Sequence, residues 1–383
     1  MKGRMLFSFI AGTLMLTGQA FAQQYTFLSM DVQCPATAAA SECPAGLTPG
    51  QVATQTSARG INARGDVVGF YVAGGKQHGF LMKDRQYTSL DFPVQGVRGT
   101  IANGTNARGE IVGQYVLPVQ VTDANGRELP EDSPLYCPPN LPSPPNPANT
   151  ADPACIKGFY YWHGKFSTVM FPTTFDESGQ PHKHPGAIAQ RISADGDIYG
   201  CLHDHDLGMS MFGAAWTRFG PFSLTFNGGE LSDPMAIPMS MNNGGTPGSG
   251  QTIVGFFTNM LNQQHGYLVR NGMIESYDPT AATTVTAIWD INASQQFVGT
   301  YRESGELAAK RHAFVQKLDD SAPITLDFVC QESAGCAGAP LGTVAFATVA
   351  FGINPQGVVV GQYVLANGGA PHGFVAILRE DRN

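Results

Sequence analysis

The sequence predicts an all-β fold, a six-bladed β-propeller of four-stranded blades, and three observations carry that expectation. First, one phrase recurs six times: an Asn-x-x-Gly turn, a short apolar strand with Val-Gly-x-Tyr, a His-Gly-Phe-Leu strand, and an aromatic strand ending in Leu-Asp-Phe. It reads most clearly over residues 60–92 (GINARGDVVGFYVAGGKQHGFLMKDRQYTSLDF), and self-similarity of this length marks a propeller or an array. Second, 46 Gly and 26 Pro with only 14% charged residues suit many short strands joined by tight turns. Third, the fourth strand occurs five times after the other strands, and the missing sixth copy stands at residues 25–32 (YTFLSMDV). The N-terminal strand is therefore expected to complete the last blade, which removes the open edges that invite aggregation.

In chain order, residues 1–22 come first. They carry Lys2 and Arg4, an apolar run over 5–16 and then Ala20-Phe21-Ala22, the three parts of a cleavable secretory signal. The run is too short to span a bilayer, so no membrane span is expected. Residues 23–383 then form a single propeller domain with a Pro-rich insertion at 118–156. Loss of Lys2 and Arg4 takes the formal charge from −8 to −10. No basic run with interleaved aromatics occurs, so nucleic acid is not an expected partner.

The six turn-and-strand cores begin at Asn62, Asn106, Ser193, Asn242, Asn292 and Asn354. Asn at the first turn position bonds its own backbone, and Gly supplies the positive φ. The strand-interior Gly of each Val-Gly pair suggests close approach of a neighbouring blade. The third strand keeps a His at His78, His265, His312 and His372, whereas units two and three carry Lys157 and Gly213. Periodic placement reads these histidines as hydrogen-bonding groups internal to each blade. The recurring Asp91, Asp278 and Asp327 read as turn caps, and Trp162, Trp216 and Trp289 as blade packing, since a role in stacking on sugars would need them exposed.

These units resemble the HAF-type extracellular repeat, whose label matches His312-Ala313-Phe314 here. The resemblance covers roughly residues 25–378 and implies a secreted β-propeller. It brings no catalytic residues, and units two and three depart from it at the His position.

In a four-stranded blade the connections from second to third strand and from fourth strand to the next blade emerge on one face. The long segments 33–56, 118–156, 172–188, 203–211 and 330–344 all fall there, which makes that face the expected binding surface. Local pairing of the seven cysteines gives Cys34–Cys43, Cys137–Cys155 and Cys330–Cys336, with Cys201 left as a buried free thiol. The same face is expected to carry His182 and His184 in the loop entering unit three, and His203, Asp204, His205 and Asp206 in its second-to-third-strand loop. Alternate residues of an extended segment point the same way, so this set could converge on a divalent transition metal such as Zn²⁺, Mn²⁺ or Fe²⁺.

Phosphate-binding glycine loops, Gly-x-Ser-x-Gly elbows and paired-cysteine metal motifs do not occur in the sequence. The expectation is a secreted or periplasmic monomeric module that binds a small molecule, a glycan or a protein. The alternative is a metal-dependent hydrolase or lyase at the histidine-rich loops of unit three.

Overall fold

The computed structural model describes residues 25–118, 126–127, 155–169, 186–203, 211–217, 220–224, 237–241, 252–259, 263–270, 273–318, 322–332 and 336–379, with single positions at 129, 133, 135–137 and 261. Among the described residues the chain is all-β, with a short 3₁₀ turn at Ala40–Glu42. After β1 (Tyr25–Met30), the first antiparallel meander is β2 (Gln55–Ile61), β3 (Val67–Ala73), β4 (Lys76–Lys83) and β5 (Gln86–Leu90). The second is β6 (Gly99–Thr105), β7 (Ile111–Val116), β8 (Ile156–Trp162) and β9 (Lys165–Val169).

The third meander comprises β10 (Gly186–Ile192), β11 (Ile198–His203), β12 (Met211–Thr217) and β13 (Gly220–Leu224). The fourth comprises β14 (Ile237–Met241), β15 (Thr252–Thr258), β16 (Gln264–Arg270) and β17 (Met273–Tyr277). The fifth runs through β18 (Thr283–Ile291), β19 (Gln296–Glu303), β20 (His312–Lys317) and the short β21 (Ile324–Thr325). The last has β22 (Ala347–Ile353), β23 (Val359–Val364) and β24 (His372–Leu378), and β1 is its fourth strand.

The register of β1 on β24 runs from Tyr25 opposite Leu378 to Met30 opposite Gly373. This is the pairing that the strand count predicts. Single parallel bridges, Gln77 with Gly99 and Gln264 with Val285, join meanders one and two and meanders four and five into eight-stranded sheets. The first strands of successive meanders touch one another in sequence, β2 to β6, β10, β14, β18 and β22, and β22 returns to β2.

Each first strand carries a bulge near its C-terminal end, skipping Arg59, Asn103, Gln190, Met239, Trp289 and Phe351 in turn. A bulge re-aims side chains and increases local twist, which suits strands crowded around an axis. At the residue after the bulge three meanders have Gly, and the need is steric. A Cβ on Gly60 would lie 2.9 Å from the Asn103 carbonyl oxygen in the next meander. The Val-Gly glycines have a different neighbour from the one expected. A Cβ on Gly69 would collide with the carbonyl oxygen of Ser57 and the ring of Phe80, both within its own meander.

The core lies between the meanders. Tyr71, Tyr115, Tyr199, Tyr267 and Tyr363, one from each of meanders one, two, three, four and six, are fully buried, as are Phe80, Phe159, Phe314 and Phe374. Each such side chain contributes roughly 1.5–3 kcal/mol by leaving water. The three local disulfides form as expected, and Cys201 stands outside them, buried among Met239, Ile188, Phe256 and Trp289.

Candidate functional site

Of the expected metal ligands, His182, His184, Asp204, His205 and Asp206 lie outside the described residues, and His203 is described only as the last backbone position of β11. Among the described residues no group of three or more His, Cys, Asp or Glu side chains is placed to hold a metal.

The recurring histidines and aspartates turn out to be one device. His78 Nδ1 meets Asp91 Oδ2 at 2.8 Å, His265 meets Asp278 at 2.8 Å, His312 meets Asp327 at 2.7 Å, and His372 meets Asp31 at 3.0 Å. The aspartates are thus partners of the third-strand histidines and not turn caps. In the last pair the two residues come from opposite ends of the chain. Each histidine also packs against an aromatic ring of the second strand: Tyr71, Phe257, Tyr301 and Tyr363.

The Asn turns are a second device. Asn62 Oδ1 accepts from the N–H groups of Arg64 and Asp66, as a turn asparagine should. Its Nδ2 does something the sequence did not disclose, donating to the Asn106 carbonyl of the next meander at 3.0 Å. Asn106 does the same to Ser193 at 3.0 Å, Asn292 to Asn354 at 2.8 Å, and Asn354 to Asn62 at 3.3 Å.

Between these turns lies a well of about 160 Å³ with apolar walls that include Ile61, Ile192, Ile291 and Ile353. Its floor is charged. From meander three, Arg191 donates to the carbonyl of Asn103 at 2.6 Å, of Arg59 at 3.0 Å and of Phe351, and its Nε stands 3.7 Å from Asp290 Oδ1. One guanidinium therefore reaches meanders one, two, five and six. Asp290 accepts in addition from Ser240 Oγ at 2.6 Å and from the N–H groups of Ile291 and Ile353. Burial raises the Asp290 carboxyl above its ordinary range against the pull of Arg191, and burial lowers Arg191 against the pull of Asp290.

A second cavity, of about 620 Å³, opens between meanders two and three. Arg108, Glu110, Tyr160, Thr168, Asp195 and Trp216 are on its wall. Glu110 is buried and held from every side: Oε2 accepts from Asn106 Nδ2 at 2.5 Å and from Arg108 Nε at 2.8 Å, and Oε1 accepts from the Tyr160 hydroxyl at 2.7 Å. Burial alone would raise the Glu110 carboxyl, but these three donors hold it below the ordinary carboxylate range. Burial and the adjacent carboxylate push Tyr160 up to about 12, so it stays a neutral donor.

Trp216 is 44% exposed, as is Trp162, which corrects the expectation that these indoles serve as blade packing. Arg108 reaches over the turn of meander three, where a Cβ on Gly196 would lie 2.5 Å from its Nη2. Both cavities are lined by residues of the short turns between first and second strands, Asn62 and Asn106 in the first and Arg108 and Asp195 in the second. Short turns build a cavity here because neighbouring meanders, and not single loops, supply its walls. The sequence signal was present in Arg108-x-Glu110, a charged pair two residues apart in a turn, with Trp216 at a strand end.

No protein-family model and no curated protein matches the chain. Among solved structures it is similar to a protein of unknown function from Dyadobacter fermentans, at 10% identity and a TM-score of 0.49 over 93% of this chain and 100% of that one. It is similar also to the SapL1 lectin in complex with alpha methyl fucoside, at 9% identity and 0.45 over 86% and 97%. A Trypanosoma rangeli sialidase gives 9% and 0.46 over 92% of this chain and 58% of the sialidase.

Proposed function

We propose that the six meanders are the blades of a closed β-propeller, a HAF-type repeat protein that is secreted or periplasmic and acts as a monomeric glycan-binding module. The ring of first-strand contacts and the β1–β24 pairing support closure. Three disulfides suit an oxidising compartment.

The observation that carries the binding reading is the cleft between meanders two and three, where an exposed indole, Trp216, stands beside the held Glu110–Arg108–Tyr160 group. A sugar presents an apolar C–H face that lies on an aromatic ring and hydroxyls that hydrogen-bond to carboxylate and guanidinium. An amphipathic aromatic with a few oriented polar groups is how concave sites bind such ligands. Half-exposed Arg108 has donors left for a ligand hydroxyl, since Glu110 engages only one edge of the fork.

Screening a glycan array with the mature protein and titrating the best hit by calorimetry tests the reading. Trp216→Ala is expected to weaken that hit by about tenfold or more, the scale of losing an aromatic anchor. Leu261→Ala, an exposed residue away from the cleft, is expected to leave it unchanged. Binding indifferent to Trp216 and Arg108 would remove the cleft as the site.

A further inference from the structure

We infer that the axis of the molecule holds an anion site, suited to a carboxylate on a small aromatic or apolar body, formed by Arg59 and Trp289 around Phe351. These three are the skipped bulge residues of meanders one, five and six, which are consecutive around the ring. Arg59 Cζ lies 3.9 Å from the centroid of the Phe351 ring and 5.3 Å from that of Phe70. The Trp289 ring meets Phe351 edge-on at 5.1 Å. One cation and one indole thus flank the Phe351 ring.

Their hydrogen-bonding capacity is not used up. Arg59 Nε and Trp289 Nε1 are buried and have no partner among the described residues. Each side chain nevertheless keeps part of its surface exposed. The charges do not balance either. Among the described residues two guanidiniums, Arg59 and Arg191, stand at the axis against one carboxylate, Asp290, and Asp290 is already engaged by Arg191, Ser240 and two backbone N–H groups.

Arg59 forms no ion pair with any described carboxylate; its partners are the two rings. Burial and then the neighbouring charge of Arg191 push its guanidinium down to about 9. A cation withdrawn from water is retained when something compensates it, and an unpaired one is costly. A monoanion accepting from Arg59 and from the Trp289 N–H supplies that compensation, and the aromatic collar fits an apolar body behind it. A guanidinium favours the planar, two-oxygen acceptor that a carboxylate presents. A phosphate dianion would call for more than this single surplus charge.

The test uses the full mature chain with benzoate as the probe and benzamide and inorganic phosphate as controls, followed by calorimetry and by thermal melting. Benzoate is expected to bind saturably and to raise the melting temperature with its concentration, benzamide is not, and phosphate is expected to bind more weakly than benzoate. Arg59→Met is expected to weaken benzoate by about tenfold or more, and Trp289→Phe by about threefold or more, on the scale of losing charge-assisted and neutral hydrogen bonds.

Arg59→Met removes an unpaired cation and is expected to melt no lower than wild type without ligand. If it fails to fold, Arg59→Lys, which keeps the charge and loses the fork, replaces it and is expected to weaken benzoate measurably. Absence of saturable benzoate binding to wild type overturns the proposal, as does binding unaffected by either variant. Phosphate binding tighter than benzoate overturns the assignment to a carboxylate.

Discussion

His312 lies between two carboxylates, Asp327 at 2.7 Å from Nδ1 and Glu306 at 2.8 Å from Nε2. Its repeat equivalents have the aspartate, but the second carboxylate is a feature of meander five. Burial works against the imidazolium, but the hydrogen bonds and charges of Asp327 and Glu306 outweigh it, and the His312 pKa is raised above 6.5. Glu306 moves the opposite way. Burial would raise it, but His312 and the Glu303 N–H hold it below 4.5. A raised histidine contributes stability that is complete below its unfolded value and is lost as pH rises through the folded one. A lowered carboxylate contributes stability that is present above its unfolded value and is lost as pH falls through the folded one. The pair is therefore worth most between about 4.5 and 6.5, the ordinary values of the two groups. We expect His312→Gln to destabilise the protein at pH 6 and the gap from wild type to narrow as pH is raised to 9, in urea denaturation followed by fluorescence. A gap that stays constant would show that the imidazole acts there as a neutral donor.

Among the elements, β1 shows how the chain ends are used. It is hydrogen-bonded along its length to β24, and His372 reaches Asp31 just beyond it. Its outer edge is covered as well, because Gln331 Oε1 accepts from the Phe27 N–H at 3.1 Å and Glu332 Oε1 from the Ser29 N–H at 2.5 Å. An edge strand with its N–H groups engaged by side chains is a poor template for a second chain. Phe27 stacks edge-on against Phe328 and Phe374, so β1 also seals the core between the last two meanders. Deleting residues 23–31 is expected to expose that core and abolish cooperative thermal unfolding by circular dichroism. A truncated protein that melts as wild type does would mean that β1 is an accessory strand.

For the whole molecule the decisive contact is Arg191. It accounts for hydrogen bonds or ion pairs to meanders one, two, five and six from meander three. The glycine of meander two is what admits it: a Cβ on Gly104 would lie 3.0 Å from Arg191 Cα and 3.4 Å from its Cδ. Removing one partner of a buried pair leaves the other uncompensated, at a cost of about 3–5 kcal/mol. Arg191→Met is expected to lose that much in denaturant unfolding, and Arg191→Met with Asp290→Asn to recover part of it. A loss below about 1 kcal/mol, the scale of an exposed pair, would show that the ring of Asn turns and interfacial packing hold the axis without the clamp.

The repeated phrase determined what each meander must solve locally, and so much was legible in the sequence: the strands, the Asn and Gly turn chemistry, the place of β1 beside Phe374 and Val375, and three disulfides between near neighbours. A solution used several times leaves a period, and a period can be read. The recurring histidines and aspartates were both visible as periodic, but their pairing was not, because 13 to 15 residues and a hairpin separate them. What only the tertiary structure decided falls where the repeats differ. Arg191, Asp290 and Ser240 stand at one repeat position held by glycine in three other meanders, and they meet only when the ring of first strands brings together residues as far apart as Arg191 and Phe351. Trp216 and Glu110 likewise share a wall because meander three lies against meander two. Side chains that depart from the repeat take their partners from other meanders, and those partners are set by the packing of one meander on the next, to which a local sequence pattern carries no reference.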